Sequence, residues 1–517
     1  MYDVVLINSK SSELDQYLKI RGVGAHLIAH QARLLGMSAM VLDFIESWTL
    51  EDFTTAIDKF VGPDTKIFGM SMTWLDLRFN AYDEEYIGDY VANKNINFIV
   101  DTVKAKNPDI TVVAGGKKIH QAYPEISDLV DHFFEGYSET QFADFITQKQ
   151  IFDKFVRYDT EAKGRCDYDF KYSRNVYTPE SFVTHRETLA LELSRGCRFK
   201  CKFCSYPLIG RKDSSSYIKD AQTLRAELIY NYENFGIQKY TIQDDTFNDS
   251  ADKVEYFAKV FATLPFKIYF WCFLRAEVLV TNPEIIPMLH EMGLTETWIG
   301  VETFTQKAGK IIGKGMDPDR IKSMLADCGK IWGSDVKITM PQLVGIPGES
   351  PTELVENNKW FTAPDCPVHE CIHIPLSIRP KALSEFYQTP EISEFDKTYE
   401  KYGFNFPWEH KFTGSQSDLA DLNKFYYWER DTQTGIPNLL EANILAQELN
   451  DQNAEIIKAR CSELPVSIFE SSNDDFAMEL SNDELRTMPA KMFSVPSDQA
   501  SFNQMIKRTY INKVLSV

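Results

Sequence analysis

Apolar and polar positions along residues 1–150 follow two rhythms. DVVLIN, SAMVLDF, KIFGMSM, TVVAGG and HFFEGY are short apolar runs with the length of buried strands. Between the first two, VGAHLIAHQARLLG repeats apolar residues at helical spacing and stops at Gly36, and further helices are expected over 50–61 and 95–106. Such alternation builds a parallel sheet with helices on both faces, a doubly wound domain whose ligands sit at the carboxyl ends of the strands. Ser71, Thr73, Gly115, Gly116 and Gly136 fall at such ends and are candidate ligand contacts.

Residues 151–185 are polar and irregular, as in a linker, and a second alternating series follows over 186–365. Its expected strands are TLALELS, KYTIQDD, KIYFWCFL, TWIGVE and VKITMPQLVG, with helices over 220–235, 283–292 and 317–330 and after Glu349. Six βα units of this kind make a partial parallel (β/α)6 barrel, again with its site at the strand carboxyl ends. Over 366–517 the pattern weakens into a mostly helical region, with one helix expected over 438–449. Its aromatic stretches FPWEH and KFYYWER suit either a cover for the barrel mouth or ordinary packing.

Composition narrows the class. Hydrophobic residues make up 44% and charged residues 25% of the 517, which excludes wholesale disorder. The net charge of −20 argues against a general nucleic-acid binder. No apolar run approaches the roughly 18 residues of a membrane span, and the start MYDVVLINSK is strand-like rather than a signal segment. Nine scattered cysteines, an odd number, suit reduced thiols in a cytoplasm, the expected compartment, with no membrane association.

Three of the nine are clustered. Cys197, Cys201 and Cys204 stand at C-x3-C-x2-C in SRGCRFKCKFCSYP, on a loop directly after an expected strand. Soft thiolates so placed converge on zinc or an iron–sulfur centre. Structural zinc takes four protein ligands, and a fourth would have to come from afar, for example from His185. A 4Fe–4S cluster held by three cysteines leaves one iron open to a small-molecule ligand. Cys366, Cys371 and Cys461 are too few and too loosely spaced for a second cluster. His26 and His30 share a helix face, but with no third ligand in view they read as packing or surface residues.

Further candidates lie at later strand ends. Asp244 and Asp245, in TIQDDTFND, can accept hydrogen bonds from an ammonium group, or form a solvated pair or helix cap. Arg275, in FWCFLRAEVL, can fork onto a carboxylate or pair with Glu277 or Glu302. Glu302, in WIGVET, can accept from two hydroxyls. In LVGIPGES, Gly345 and Gly348 permit close backbone approach around Ile346, as in an ordinary strand-to-helix turn.

CRFKCKFC resembles the CxxxCxΦC cluster loop of the radical S-adenosylmethionine (radical SAM) superfamily, with Phe203 in the aromatic position, and the resemblance extends over roughly 186–360. It implies a partial βα barrel, a 4Fe–4S cluster on the three cysteines as the catalytic metal centre, and S-adenosylmethionine chelated at the open iron. Reductive cleavage of that cofactor would give a 5′-deoxyadenosyl radical that takes hydrogen from substrate. The same resemblance puts the Asp244/Asp245 position near the SAM amino group and Glu302 near its ribose or methionine moiety. Phe203 and the segment around Gly345, Ile346 and Gly348 then fall beside adenine.

The region 1–145 resembles the Rossmann-like cobalamin-binding domain of one radical SAM subfamily, which implies cobalamin as a third cofactor and C-methylation as the reaction. The DxHxxG segment that supplies a cobalt-binding histidine elsewhere is missing, and GYSE stands where many relatives carry GEGE. A rearrangement, cyclisation or oxidation without cobalamin is therefore the competing enzyme reading, and a non-enzymatic zinc or iron–sulfur protein is the reading from another class. The resemblance also implies a low-potential electron donor such as a flavodoxin or ferredoxin. The small-molecule or peptide substrate is left open.

Overall fold

The computed structural model describes residues 1–8, 20–45, 48–72, 94–116, 119, 126–148, 153–156, 170–185, 187–206, 217–387, 392–413, 415, 422–462, 464 and 510–517. Two compact units form. One comprises Met1–Leu191, Gln222–Tyr240 and Ile468–Val517, and the other Glu192–Ala221 and Thr241–Ser467.

In the first unit, β1 (Val4–Ile7), β2 (Ala39–Leu42), β3 (Ile67–Ser71), β4 (Thr111–Gly116), β5 (His132–Glu135) and β6 (Phe155–Val156) form one sheet in the order β2-β1-β3-β4-β5-β6, with every pair parallel. All four residues of β1 and of β2 are buried, which explains their unbroken apolar text. The helices Val23–Leu34, Leu50–Phe60 and Lys94–Lys106 connect them. Thr49 and Asp52 make a capping box that starts the second of these, and Gly36 takes a left-handed φ of 82° just beyond the first. The strand β6 falls in the stretch expected to be a linker, because two residues are too few to show alternation. Thr73 lies outside the described residues.

Tyr510, Ile511 and Val514 belong to the same core as β1, β2 and β3. Tyr510 Oη accepts from the Asp43 amide at 3.0 Å, and its ring and that of Phe44 flank the Arg21 guanidinium, each at 5.0 Å. Arg21 is wholly buried and pairs with Asp43 and with Glu187, the latter at 2.7 Å. Asp43 also receives Asn8 Nδ2 at 2.8 Å and lies 2.9 Å from His26 Nε2. Burial alone would raise the Asp43 pKa, but His26, Arg21 and Asn8 more than offset it and hold the carboxyl at about 2. His26 is thus a buried partner of Asp43 rather than half of a metal pair with His30.

The second sheet runs β12-β11-β10-β9-β8-β7, from β7 (Thr188–Leu191), β8 (Lys239–Ile242), β9 (Tyr269–Arg275), β10 (Leu294–Gly300), β11 (Lys337–Val344) and β12 (Glu370–Pro375). The pairs from β9 to β12 are parallel. The sixth strand lies beyond residue 365, and its outer helix is Leu439–Cys461, capped by the Asn438 side chain and packed on β12. The helices Ala251–Phe261, Ala276–Thr281 and Gln306–Ile312 add to those expected. The two faces of the wall differ. On β9, Phe270, Cys272 and Leu274 are 0–2% exposed beneath the helices, with Phe270 6.0 Å from Phe261. Trp271 and Phe273, on the opposite face, are only half-buried, as is Trp298 on β10. Their rings meet edge to face, Trp271–Phe273 at 4.5 Å and Phe273–Trp298 at 5.9 Å.

Two stability predictions follow from buried charges. Arg21→Met takes from buried Asp43 and Glu187 the guanidinium they share and should cost about 3–5 kcal/mol, read as a lowered first thermal transition. Adding Asp43→Asn and Glu187→Gln should recover part of that loss. Glu349, just before the helix Pro351–Thr362, is buried, and burial lifts its pKa from 4.5 to about 7 despite hydrogen bonds with Thr303 and Thr305, with Glu353 adding to the rise. A raised acid is protonated in the fold where the unfolded chain is ionised, so stability is full below pH 4.5 and erodes up to pH 7, by at most about 3 kcal/mol. Glu349→Gln should flatten the change in melting temperature between pH 5 and pH 8. An unchanged pH slope would refute this assignment.

Candidate functional site

The cysteine loop is anchored before its first thiol. Residues just after β7 pair back on the end of the loop, with Arg195 N donating to Tyr217 O at 3.0 Å and Lys219 N to Leu193 O at 2.9 Å. Asp244, 1% exposed, accepts the Leu193 and Ser194 amides on Oδ1 at 2.8 and 2.9 Å and Ser194 Oγ on Oδ2 at 2.6 Å. Lys253 Nζ lies 2.9 Å from the same Oδ2 and donates to Ser194 Oγ at 2.6 Å and Thr246 O at 3.0 Å. Burial lowers the Lys253 pKa, but Asp244 and Asp249 overcome it and keep the amine charged. Asp244 is therefore filled by the chain's own donors. The charge of Asp245, the next residue, adds to burial in raising the thiols of Cys197 and Cys204.

Cys197 is 7% exposed, with Sγ 3.5 Å from Thr246 Oγ1, and Cys201 and Cys204 are half-buried. The loop is gripped from its far side as well. Lys202 N donates to Ile312 O at 3.0 Å, and Lys202 Nζ donates to Tyr402 Oη at 3.0 Å. Gly313 has a φ of 87°, and a Cβ there would stand 3.5 Å from Lys200 O. Burial raises the Cys197 thiol and takes that of Cys204 to about 12, so a metal must displace protons to bind. Among the described residues no three His, Cys, Asp or Glu side chains are drawn together as one metal ion requires. A four-iron cluster carries each thiolate on a different iron, so an open, all-thiol donor set fits it better than a single zinc ion. His185 is packed against Gly236.

Arg275, 8% exposed, comes to this loop. Its Nη1 donates to Cys201 Sγ at 2.9 Å and its Nη2 to Glu277 Oε1 and Gly313 O, both at 3.2 Å, while Nε stands 3.1 Å from Glu277 Oε2. The guanidinium lies 3.9 Å above the Phe199 ring. Of the two acids weighed as its partner, Glu277 holds it. Glu302 pairs instead with Lys314 Nζ, at 3.0 Å. Glu302 has a left-handed φ of 68°, a strained conformation for a glutamate, and it is pinned by Glu302 N to Pro341 O and Leu343 N to Glu302 O.

Gly345 and Gly348 have φ values of 104° and 87°. A Cβ on Gly345 would meet the Trp428 ring at 2.9 Å, so its glycine is required by packing as well as by φ. Ile346 is fully buried in the cluster that includes Trp428 and Phe404, and the Phe203 ring packs against that cluster. In the first unit, Ser71 pairs with Gly115 across β3 and β4, and Met72 N donates to Gly115 O at 2.8 Å. Gly116 and Gly136 have φ values of 134° and 75°, and Gly136 N donates to Gly116 O at 3.2 Å. The ends of β4 and β5 thus form one glycine edge.

Lys253, Lys314, Phe199, Gly313 and Glu349 were not singled out from sequence. Lys253 had a legible signal, since it stands four residues before Phe257 on a buried helix stripe, where a lysine needs an acid. The others are brought in by tertiary contacts.

Residues 191–361, about a third of the chain, match the model of the radical SAM superfamily. No curated protein matches. Among solved structures, the radical S-adenosylmethionine methyltransferase TsrM from Kitasatospora setae, bound to tryptophan and a SAM analogue, aligns with a TM-score of 0.54 at 14% identity, covering 77% of this chain and 76% of TsrM. The cobalamin-dependent S-adenosylmethionine radical enzyme OxsB, with aqua-cobalamin bound, aligns with a TM-score of 0.57 at 12% identity over 99% of this chain and 80% of OxsB. At such identities these likenesses establish the fold, a parallel α/β domain with a radical SAM barrel. With its cysteine loop at the carboxyl end of β7, the segment 191–361 is a radical SAM domain, the domain of an enzyme superfamily whose cofactors are a 4Fe–4S cluster and S-adenosylmethionine.

Proposed function

We propose that this enzyme methylates an unactivated carbon of a small-molecule or peptide substrate with the help of cobalamin. The carrying observation is that one chain joins the three-thiol loop to a doubly wound sheet with a glycine edge at Gly115, Gly116 and Gly136. TsrM is known with cobalamin and a 4Fe–4S cluster bound and OxsB is cobalamin-dependent, which supports the same pairing here. The cluster, when bound, supplies the electron that cleaves S-adenosylmethionine to a 5′-deoxyadenosyl radical, and cobalamin, when bound, supplies methyl-carrier chemistry.

This chain's own residues divide the remaining work. Cys197, Cys201 and Cys204 hold the cluster, and the Asp244–Lys253 pair fixes the backbone from which the first thiol projects. Glu302, held at its strained φ with Lys314 on Oε1, keeps its other oxygen to accept hydroxyls of the SAM ribose. Asp245 faces the SAM amino group, and Gly345, Ile346, Gly348 and Phe203 border adenine. Ser71, Gly115 and Gly116 offer backbone groups to cobalamin. The half-buried face of Trp271, Phe273 and Trp298 would bound the substrate. A low-potential flavodoxin- or ferredoxin-type donor completes the system. Among the described residues no helix is long and apolar enough to cross a membrane.

A second reading, radical chemistry without cobalamin, draws on the other side of the same sheet. Asn8 and Asp43, just after β1 and β2, are consumed by the buried Arg21 network and are closed over by Tyr510.

Anaerobic reconstitution with iron, sulfide and hydroxocobalamin, then reduction with S-adenosylmethionine, should yield 5′-deoxyadenosine from the unaltered protein and none from Cys197→Ala. S-adenosylhomocysteine formed alongside it, with cobalamin retained through gel filtration, is the expected mark of methyl transfer. Cobalamin that washes away while 5′-deoxyadenosine still forms would favour the second reading. Glu302→Gln should raise the KM for S-adenosylmethionine about tenfold, the loss of one charge-assisted hydrogen bond worth about 1.4 kcal/mol, with cluster absorbance unchanged.

A further inference from the structure

We infer that Arg275 and Glu277 are positioning residues that set the reduction potential of the cluster. The inference rests on the cluster reading of Cys197, Cys201 and Cys204 and goes beyond it. Arg275 Nη1 donates to Cys201 Sγ at 2.9 Å, a direct N–H···S bond from a guanidinium cation. Its Nη2 is occupied by Glu277 Oε1 and Gly313 O, and Glu277 Oε2 stands 3.1 Å from Nε. Either two-pronged edge of the guanidinium includes Nη2, so a substrate or cofactor carboxylate could be forked only by displacing Glu277 and Gly313. The Phe199 ring, 3.9 Å from the guanidinium carbon, closes one face. The group is locked toward the thiolate.

The consequence is electrostatic. Reduction adds one electron from a ferredoxin- or flavodoxin-type donor and no proton, so a cluster with three thiolates goes from net −1 to net −2. A cation bonded to one thiolate stabilises the more negative state and raises the potential, as hydrogen bonds to cluster sulfurs do in general. Glu277 opposes it from the far side of the guanidinium. It lies against Nη2 and Nε rather than Nη1, so its anion is farther from Sγ than the cation it partly neutralises. The pair works as a trimmed charge. Removing the cation lowers the potential and exposes the anion, and removing the anion raises it.

The test is an EPR-monitored redox titration of the reconstituted cluster without substrate, with dithionite as reductant, for the unaltered protein, Arg275→Gln, Arg275→Lys and Glu277→Gln. Arg275→Gln should cut the equilibrium constant for one-electron reduction about tenfold, which is about 59 mV more negative. Arg275→Lys should recover part of the shift, and Glu277→Gln should move it the opposite way. A merely structural role would change cluster occupancy without opposed shifts. If Arg275→Gln fails to hold a cluster, the sign of the Glu277→Gln shift decides. Equal potentials in all four proteins, or shifts of one sign in both glutamine variants, would overturn the inference. An unaltered protein that takes up no iron and sulfide at all would overturn the cluster reading and this inference together, and is told apart by its silent EPR spectrum.

Discussion

One buried carboxylate holds the site together. Asp244 gathers two amides and a hydroxyl from residues 193 and 194 and the ammonium of Lys253, and so ties the chain after β7, the end of β8 and the helix Ala251–Phe261 at one point. Its charge is tolerable there only because every oxygen lone pair is answered and Lys253 is itself buried beside Asp249. The cysteine loop begins three residues beyond Ser194, so the direction in which Cys197 leaves the sheet is set by this knot. Replacing any one member would strand the rest in a low-dielectric interior, which makes the arrangement cooperative rather than additive.

Around that knot the wall spends its side chains unequally. The helix-facing side of β9 is closed to solvent, whereas its other side carries half-buried aromatic rings set edge to face. Glu302 adds a strained backbone near the site, and the strain persists because its hydrogen bonds with Pro341 and Leu343 and the Lys314 pair over-determine it. The closed packing thus lies under the helices, and the half-buried rings of Trp271, Phe273 and Trp298 lie on the other face.

Much of this was legible as text. The parallel series from β1 to β5 and from β7 to β11 could be read from apolar runs because β1, β2 and β7 are buried throughout and the open face of β9 is aromatic rather than polar, and the C-x3-C-x2-C spacing named its own chemistry. Three kinds of feature escaped. The strand β6 has two residues and no period. The helix Ala251–Phe261 carries Lys253 in its apolar stripe, which breaks the pattern because the lysine is neutralised by partners remote in sequence. Within the site, Arg275 meets Cys201 across 74 residues and Lys253 meets Ser194 across 59, and no local rule reports such meetings. Asp244 and Asp245 are neighbours of identical chemistry just beyond β8, and only tertiary contacts, which bury Asp244 against Ser194 and Lys253, give them different tasks.

The seating of Tyr510, Ile511 and Val514 in the core of the first sheet has a kinetic side. Translation adds roughly 5–20 residues per second, so β6 leaves the ribosome some twenty seconds to a minute before those three residues are made. For that interval the Arg21 guanidinium lacks one of its two aromatic covers and Asp43 lacks a hydroxyl for its amide. The first sheet to be synthesised is therefore among the last parts to be completed, and a nascent chain must keep its unfinished core from other chains until residue 510 arrives.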